Sequence, residues 1–144
     1  MNEQETKLTW TKGMSFEAEL QGHRLTVDAV EEHGGKNLGP RPKALVLTAL
    51  AGCTGMDVVS ILNKMRVSFD AFGVDVTGEL TANHPKVYGK IHIVYRLKGE
   101  NVDRTKVERA VDLSRTTYCG VSAMLAHTAE ITHEIVIEPR AFSV

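Results

Sequence analysis

The stretch PKALVLTALAGCTGMDVVSILNKM, Pro42–Met65, carries the reading of the fold. Pro42 suits a first helical turn, where its missing N–H costs nothing. From Ala44 to about Met65 the residues are good helix formers. Leu45, Val46, Leu47, Leu50, Met56, Val58, Val59, Ile61 and Leu62 put apolar side chains on nearly every face. Such a helix is expected to be buried all round, which one chain of 144 residues can hardly achieve behind two small sheets. The expectation is a homodimer in which the central helices of two chains pack together. Gly52 and Gly55 flank Cys53, and each glycine costs about 1 kcal/mol in a helix interior. The crossing of two such helices, with backbones in close approach, is the place where small residues are needed.

Upstream, Lys7–Thr11, Ser15–Gln21 and Arg24–Val30 alternate apolar and polar residues, with Lys12-Gly13 and Gly22 as breaks. They read as a three-stranded antiparallel meander. Glu31–Arg41, with Gly34, Gly35, Gly39 and Pro40, reads as a loop. Downstream, Val67–Thr81 and Tyr88–Lys98 read as strands joined by Asn83-His84-Pro85-Lys86. A helix from Arg104 to about Ser114 follows, capped by Asn101 or Asp103. Thr116-Thr117 interrupts, Cys119–His127 reads as a second short helix, and Glu130–Ile137 closes as a strand. The order is βββ-α-ββ-αα-β, an α+β chain expected to form one domain over residues 1–144.

Charged residues make up 24% of the chain yet net to −1, without the excess of Lys and Arg that a nucleic-acid surface requires. Met1–Thr11 is polar and offers no leader pattern. No apolar run reads as a bilayer span. The expectation is a cytoplasmic protein with neither nucleic acid nor membrane as partner. In a reducing compartment a structural disulfide is not expected, so Cys53 and Cys119 call for a chemical or a packing explanation.

A mid-helix cysteine such as Cys53 is ordinarily a small buried hydrophobe. Cys119 sits in the first turn of an expected helix, behind Thr116 and Thr117 as candidate caps, where unpaired N–H groups favour a thiolate. By position it is evenly balanced between reactive and structural. The spacing of the two fits neither a CxxC motif nor a zinc site. The six histidines form no HxH or HxxxH pair, so no metal is expected.

Gly39-Pro40-Arg41-Pro42-Lys43-Ala44 leading through Ala49-Leu50-Ala51-Gly52-Cys53 resembles the OsmC/Ohr family (osmotically inducible protein C, organic hydroperoxide resistance). That family has a proline-containing entry to a central helix and a small-residue stretch ending in Cys. Tyr118-Cys119-Gly120-Val121-Ser122 resembles its second motif, Cys-Pro-Val-Ser, and the element order agrees over essentially the whole chain. Gly52-Cys53-Thr54-Gly55-Met56-Asp57 looks closest to the OsmC-like branch. The resemblance implies two antiparallel sheets around a long central helix, in an intertwined homodimer. It implies a peroxidatic Cys53, a resolving Cys119, a small apolar hydroperoxide as substrate and an external dithiol as reductant, with no bound cofactor. In peroxidase members a Glu ten residues before the first Cys holds an Arg against the thiolate. Lys43 occupies that Glu position here, and Arg24 is the only arginine of the first three strands. Lys43, Arg41 or Arg115 are the candidate replacement cations, and weak peroxidase activity is the expectation. The competing expectation is a non-catalytic dimer that binds a small apolar ligand.

Overall fold

The computed structural model describes residues 2–140. The chain, read from its length as one domain, forms two compact units, Met1–Val46 and Leu47–Val144. Each is described by itself.

In the first unit, β1 (Thr6–Lys12), β2 (Ser15–Leu20) and β3 (His23–Val27) pair antiparallel in the order β1-β2-β3. Trp10 lies opposite Phe16, Leu8 opposite Ala18, and Ala18 opposite Leu25. Opposed residues share a face, so the alternation read from the sequence builds one apolar side. β3 ends at Val27 rather than Val30, because Asp28 takes over the local hydrogen bonding. Its buried carboxylate accepts from the N–H groups of Ala29, Lys36 and Leu38 at 2.7, 3.1 and 3.2 Å. Burial pushes the Asp28 pKa up, but these donors and the Arg41 charge outweigh it, and the net position is below the ordinary carboxylate value. Two glycines let the loop close. A Cβ on Gly35 would lie 1.9 Å from the Ala29 carbonyl oxygen, and one on Gly39 would lie 2.1 Å from that of Thr26.

The central helix α1 spans Pro42–Lys64. In the second unit it is followed by β4 (Ala71–Leu80), β5 (Tyr88–Lys98), α2 (Arg104–Leu113), a π-helical turn (Ser114–Tyr118), α3 (Gly120–Leu125) and β6 (Glu130–Glu138). Asp103 caps α2, accepting from Thr105 N and Lys106 N. β4 and β5 pair antiparallel, but β6 runs parallel to β5, with Ile91 opposite Ile131 and Tyr95 opposite Ile135. This corrects the expectation of two antiparallel sheets. The helical segment between β5 and β6 is a crossover, which returns the chain to the sheet in the same direction.

Ile91, Ile93, Tyr95 and Leu97 of β5 are buried, as their alternation requires. They form the core with Val107, Ala110 and Val111 of α2 and with Leu50, Val58 and Leu62 of α1. With Thr54, the α1 residues make a fully buried stripe at intervals of four. The stripe Thr48, Gly52, Met56 and Ser60 is exposed, Met56 by 76%. Contrary to the sequence expectation, α1 is long and apolar enough to cross a bilayer by length and composition. Its residues Leu50, Val58 and Leu62 are nevertheless core residues of the second unit.

Candidate functional site

Cys53 and Asp57 are four residues apart on α1 and so share a face. Cys119 reaches them through the π-helical turn. Its amide donates to the Ser114 carbonyl at 2.7 Å, the five-residue closure of a π turn. The turn ends at Cys119, which at once becomes the N-cap of α3. The two sulfurs and a carboxylate oxygen of Asp57 lie within 4.8 Å of one another.

The first turn of α3 supplies a donor to the Cys119 sulfur. Ser122 N–H donates to Cys119 Sγ at 3.4 Å. Cys119 itself therefore caps α3, where Thr116 or Thr117 was expected to. The Thr116 hydroxyl instead turns back to the Asp112 carbonyl at 2.7 Å.

Burial pushes the Cys53 thiol pKa up. The Val121 N–H opposes this, whereas the hydrogen bond and charge of Cys119 and the charge of Asp57 add to it. The charges acting on Cys53 are thus negative.

Behind Asp57 runs a chain of hydroxyls that the sequence did not reveal. Ser114 Oγ donates to Asp57 Oδ2 at 2.9 Å, lies 2.8 Å from Thr54 Oγ1, and Thr54 Oγ1 lies 2.7 Å from Tyr95 OH. Each hydroxyl has one proton to give. Since Ser114 gives its proton to Asp57, Thr54 donates to Ser114 and Tyr95 donates to Thr54. All three hydroxyls therefore point one way, toward the carboxyl group. Burial raises the Tyr95 pKa, keeping the phenol a donor. Asp57 therefore has a hydroxyl partner within its own chain.

The structure brings Cys53 and Cys119 together. Of the three candidate cations, half-buried Arg115 sits on the π turn, and its charge acts on Tyr95 and His133. Lys43 is exposed at the start of α1, and the Arg41 guanidinium donates to Asn37 Oδ1. Both belong to the first unit. Thr54, Ser114 and Tyr95 were missed because they come from three separate elements. A buried hydroxyl directly after Cys53, in a mostly apolar helix, was the one local signal.

Comparison with known proteins matches the chain to a family. The family model for OsmC-like protein matches residues 34–134. Protein YhfA of Escherichia coli K12 is 35% identical over 130 residues, covering 90% of this chain and 94% of that protein. The crystal structure of a hypothetical protein from Aquifex aeolicus is similar at TM-score 0.81 and 29% identity, covering 95% of this chain and 98% of the other. An organic hydroperoxide resistance protein OsmC from Legionella pneumophila has the same fold at TM-score 0.71 and 14% identity, with 94% and 98% covered. With a family model spanning most of its length and a relative more than one-third identical almost end to end, the chain belongs to the OsmC-like protein family.

Proposed function

We propose that the protein reduces organic hydroperoxides with its paired thiols. The observation that carries this reading is the approach of the Cys53 and Cys119 sulfurs within 4.8 Å, with the Ser122 N–H donating to Cys119 Sγ. The Cys53 thiolate attacks the distal peroxide oxygen. An S–O bond forms, the O–O bond breaks, and the alkoxide takes up a proton and leaves as alcohol. The Cys119 sulfur then attacks the Cys53 sulfenic acid, water departs, and a disulfide forms. An external dithiol, supplied by a reducing cytoplasm, returns both thiols. Solved relatives named for organic hydroperoxide resistance support the substrate class. The raised Cys53 pKa supports slow turnover at neutral pH, since the thiolate is the nucleophile.

The working form is a homodimer in this proposal. The exposed Thr48, Gly52, Met56 and Ser60 stripe of α1 supports it, as does the open space beside Gly52. A second copy of the helix would cover that face. One observation favours a second reading, a non-catalytic dimer with a small apolar ligand. The charges of Cys119 and Asp57 add to burial in raising the Cys53 pKa, against the lowering effect of the Val121 N–H.

Stopped-flow oxidation by cumene hydroperoxide decides between the two. Saturable loss of the Cys53 thiol with formation of an intrachain disulfide is expected. In Cys119→Ser the Cys53 sulfenic acid should accumulate and pass on to sulfinic acid, visible by mass spectrometry. A Cys53 thiol no faster than free cysteine would leave the ligand-binding reading.

A further inference from the structure

We propose that Cys53, Asp57 and Cys119 form a binding site for a thiophilic divalent cation, zinc by its donor set, whose occupancy masks both thiols. The inference uses the same sulfurs as the peroxide chemistry but does not depend on it, since it requires only that they be reduced.

Two cysteines and a carboxylate from α1 and the start of α3 place three metal-ligating atoms within 4.8 Å of one another. In a tetrahedral zinc site with bonds of about 2.3 Å to sulfur and about 2.1 Å to oxygen, donor atoms stand roughly 3.6–3.8 Å apart. The observed triangle therefore needs to contract by about 1 Å at most, within reach of side-chain rotation. Two sulfurs select a soft or borderline ion over magnesium or calcium, which take oxygen ligands. Three protein ligands leave a fourth position for water.

The surroundings support the same reading. Metal-ligating side chains are oriented by hydrogen bonds from behind. Asp57 has such support in the Ser114 hydroxyl, itself backed by Thr54 and Tyr95. Cys119 accepts from the Ser122 N–H. Three groups that are anionic when ionised converge in a half-buried place where the charges acting on Cys53 are negative. A divalent cation would neutralise most of that charge. On binding, each thiol loses its proton to solvent as its sulfur–metal bond forms. Two thiolates, one carboxylate and the cation then leave a single net negative charge. No electron is transferred, and a chelator reverses the step.

The test is titration of the reduced full-length protein with cadmium, followed by the ultraviolet sulfur-to-metal charge-transfer band, with zinc competition for affinity. One equivalent per chain is expected. Asp57→Asn, isosteric and still able to accept from Ser114, should weaken binding at least tenfold, and Cys119→Ser should weaken it further. Circular dichroism of the variants separates loss of a ligand from loss of the fold. Protein oxidised to the disulfide should bind none. Absence of the band at micromolar metal, or equal affinity in wild type and Asp57→Asn, would overturn the site. Peroxide reduction assayed with chelator present is unaffected by that outcome, so the two readings fail separately.

Discussion

Replacing Asp57 by asparagine should make Cys53 a better nucleophile. Its carboxylate stands within 4.8 Å of the Cys53 sulfur and raises the thiol pKa together with burial and Cys119. At that distance two unit charges repel by about 0.9 kcal/mol at the dielectric of water and by about 3.5 kcal/mol at an effective value of 20. The half-buried sulfur lies between these limits. At about 1.4 kcal/mol per factor of ten, removing the charge raises the thiolate population by roughly 4- to 300-fold. A less basic thiolate is also a poorer nucleophile, with a Brønsted slope near ~0.5, so the expected gain in peroxide rate at pH 7 is about 2- to 20-fold. The sign of the pH dependence follows. In the wild type the raised thiol pKa makes the rate climb above neutrality, and in the variant the climb begins at lower pH. Stopped-flow kinetics from pH 6 to 9 with chelator present would measure both, and thiolate absorbance would follow ionisation independently. A slower variant would show that Asp57 assists the reaction as a base. A wild-type rate already flat and fast from pH 6 to 8 would show the thiolate stabilised by a cation. Either result refutes the reasoning.

Three further outcomes are expected. Thr54→Val keeps the volume but removes the acceptor of the buried Tyr95 hydroxyl and the donor to Ser114, so urea unfolding should show a loss of about 1–3 kcal/mol. Gly52→Leu meets nothing within 4 Å at its Cβ in the protomer. The variant should stay folded while light scattering shows a weakened dimer, as overpacking costs about 1–3 kcal/mol; an undisturbed dimer would place the interface elsewhere. Asp28 has a lowered pKa, so its contribution is present above the unfolded value of about 3.9 and fades as pH falls through the folded one. Asp28→Asn should lower the melting temperature at neutral pH and flatten its decline in acid.

α1 was legible because a run of apolar helix formers behind Pro42 has few other ways to fold. β5 was legible because Ile91, Ile93, Tyr95 and Leu97 alternate without interruption. The direction of β6 was not, since Ile131, Ile135 and Ile137 alternate identically beside a parallel or an antiparallel partner. Thr116-Thr117, read as a break, lies inside the π turn that follows the end of α2 at Leu113, but nothing in those residues announces such a turn. Cys119 escaped notice as a cap because sulfur is a weak acceptor and the capping preference is for Ser, Thr, Asp and Asn. In the site, the cysteine pair was readable from two local motifs. The hydroxyl chain from Tyr95 to Asp57 was not, because its partners lie 41, 60 and 57 residues apart and meet only in the folded core.

The π turn also acts as a spacer that can be counted. An α-helix advances about 100° per residue, so one residue more or fewer between Ser114 and Cys119 would carry the second sulfur about a quarter of the way round the axis. Both cysteines would remain in the sequence, and every motif would still read correctly, yet the two would no longer face each other. Within this stretch, insertions and deletions should therefore matter more than substitutions. A relative with an intact Cys pair but a four-residue turn would be a bearer of two separate thiols. Chain length here, as much as residue identity, decides whether the protein has one site or none.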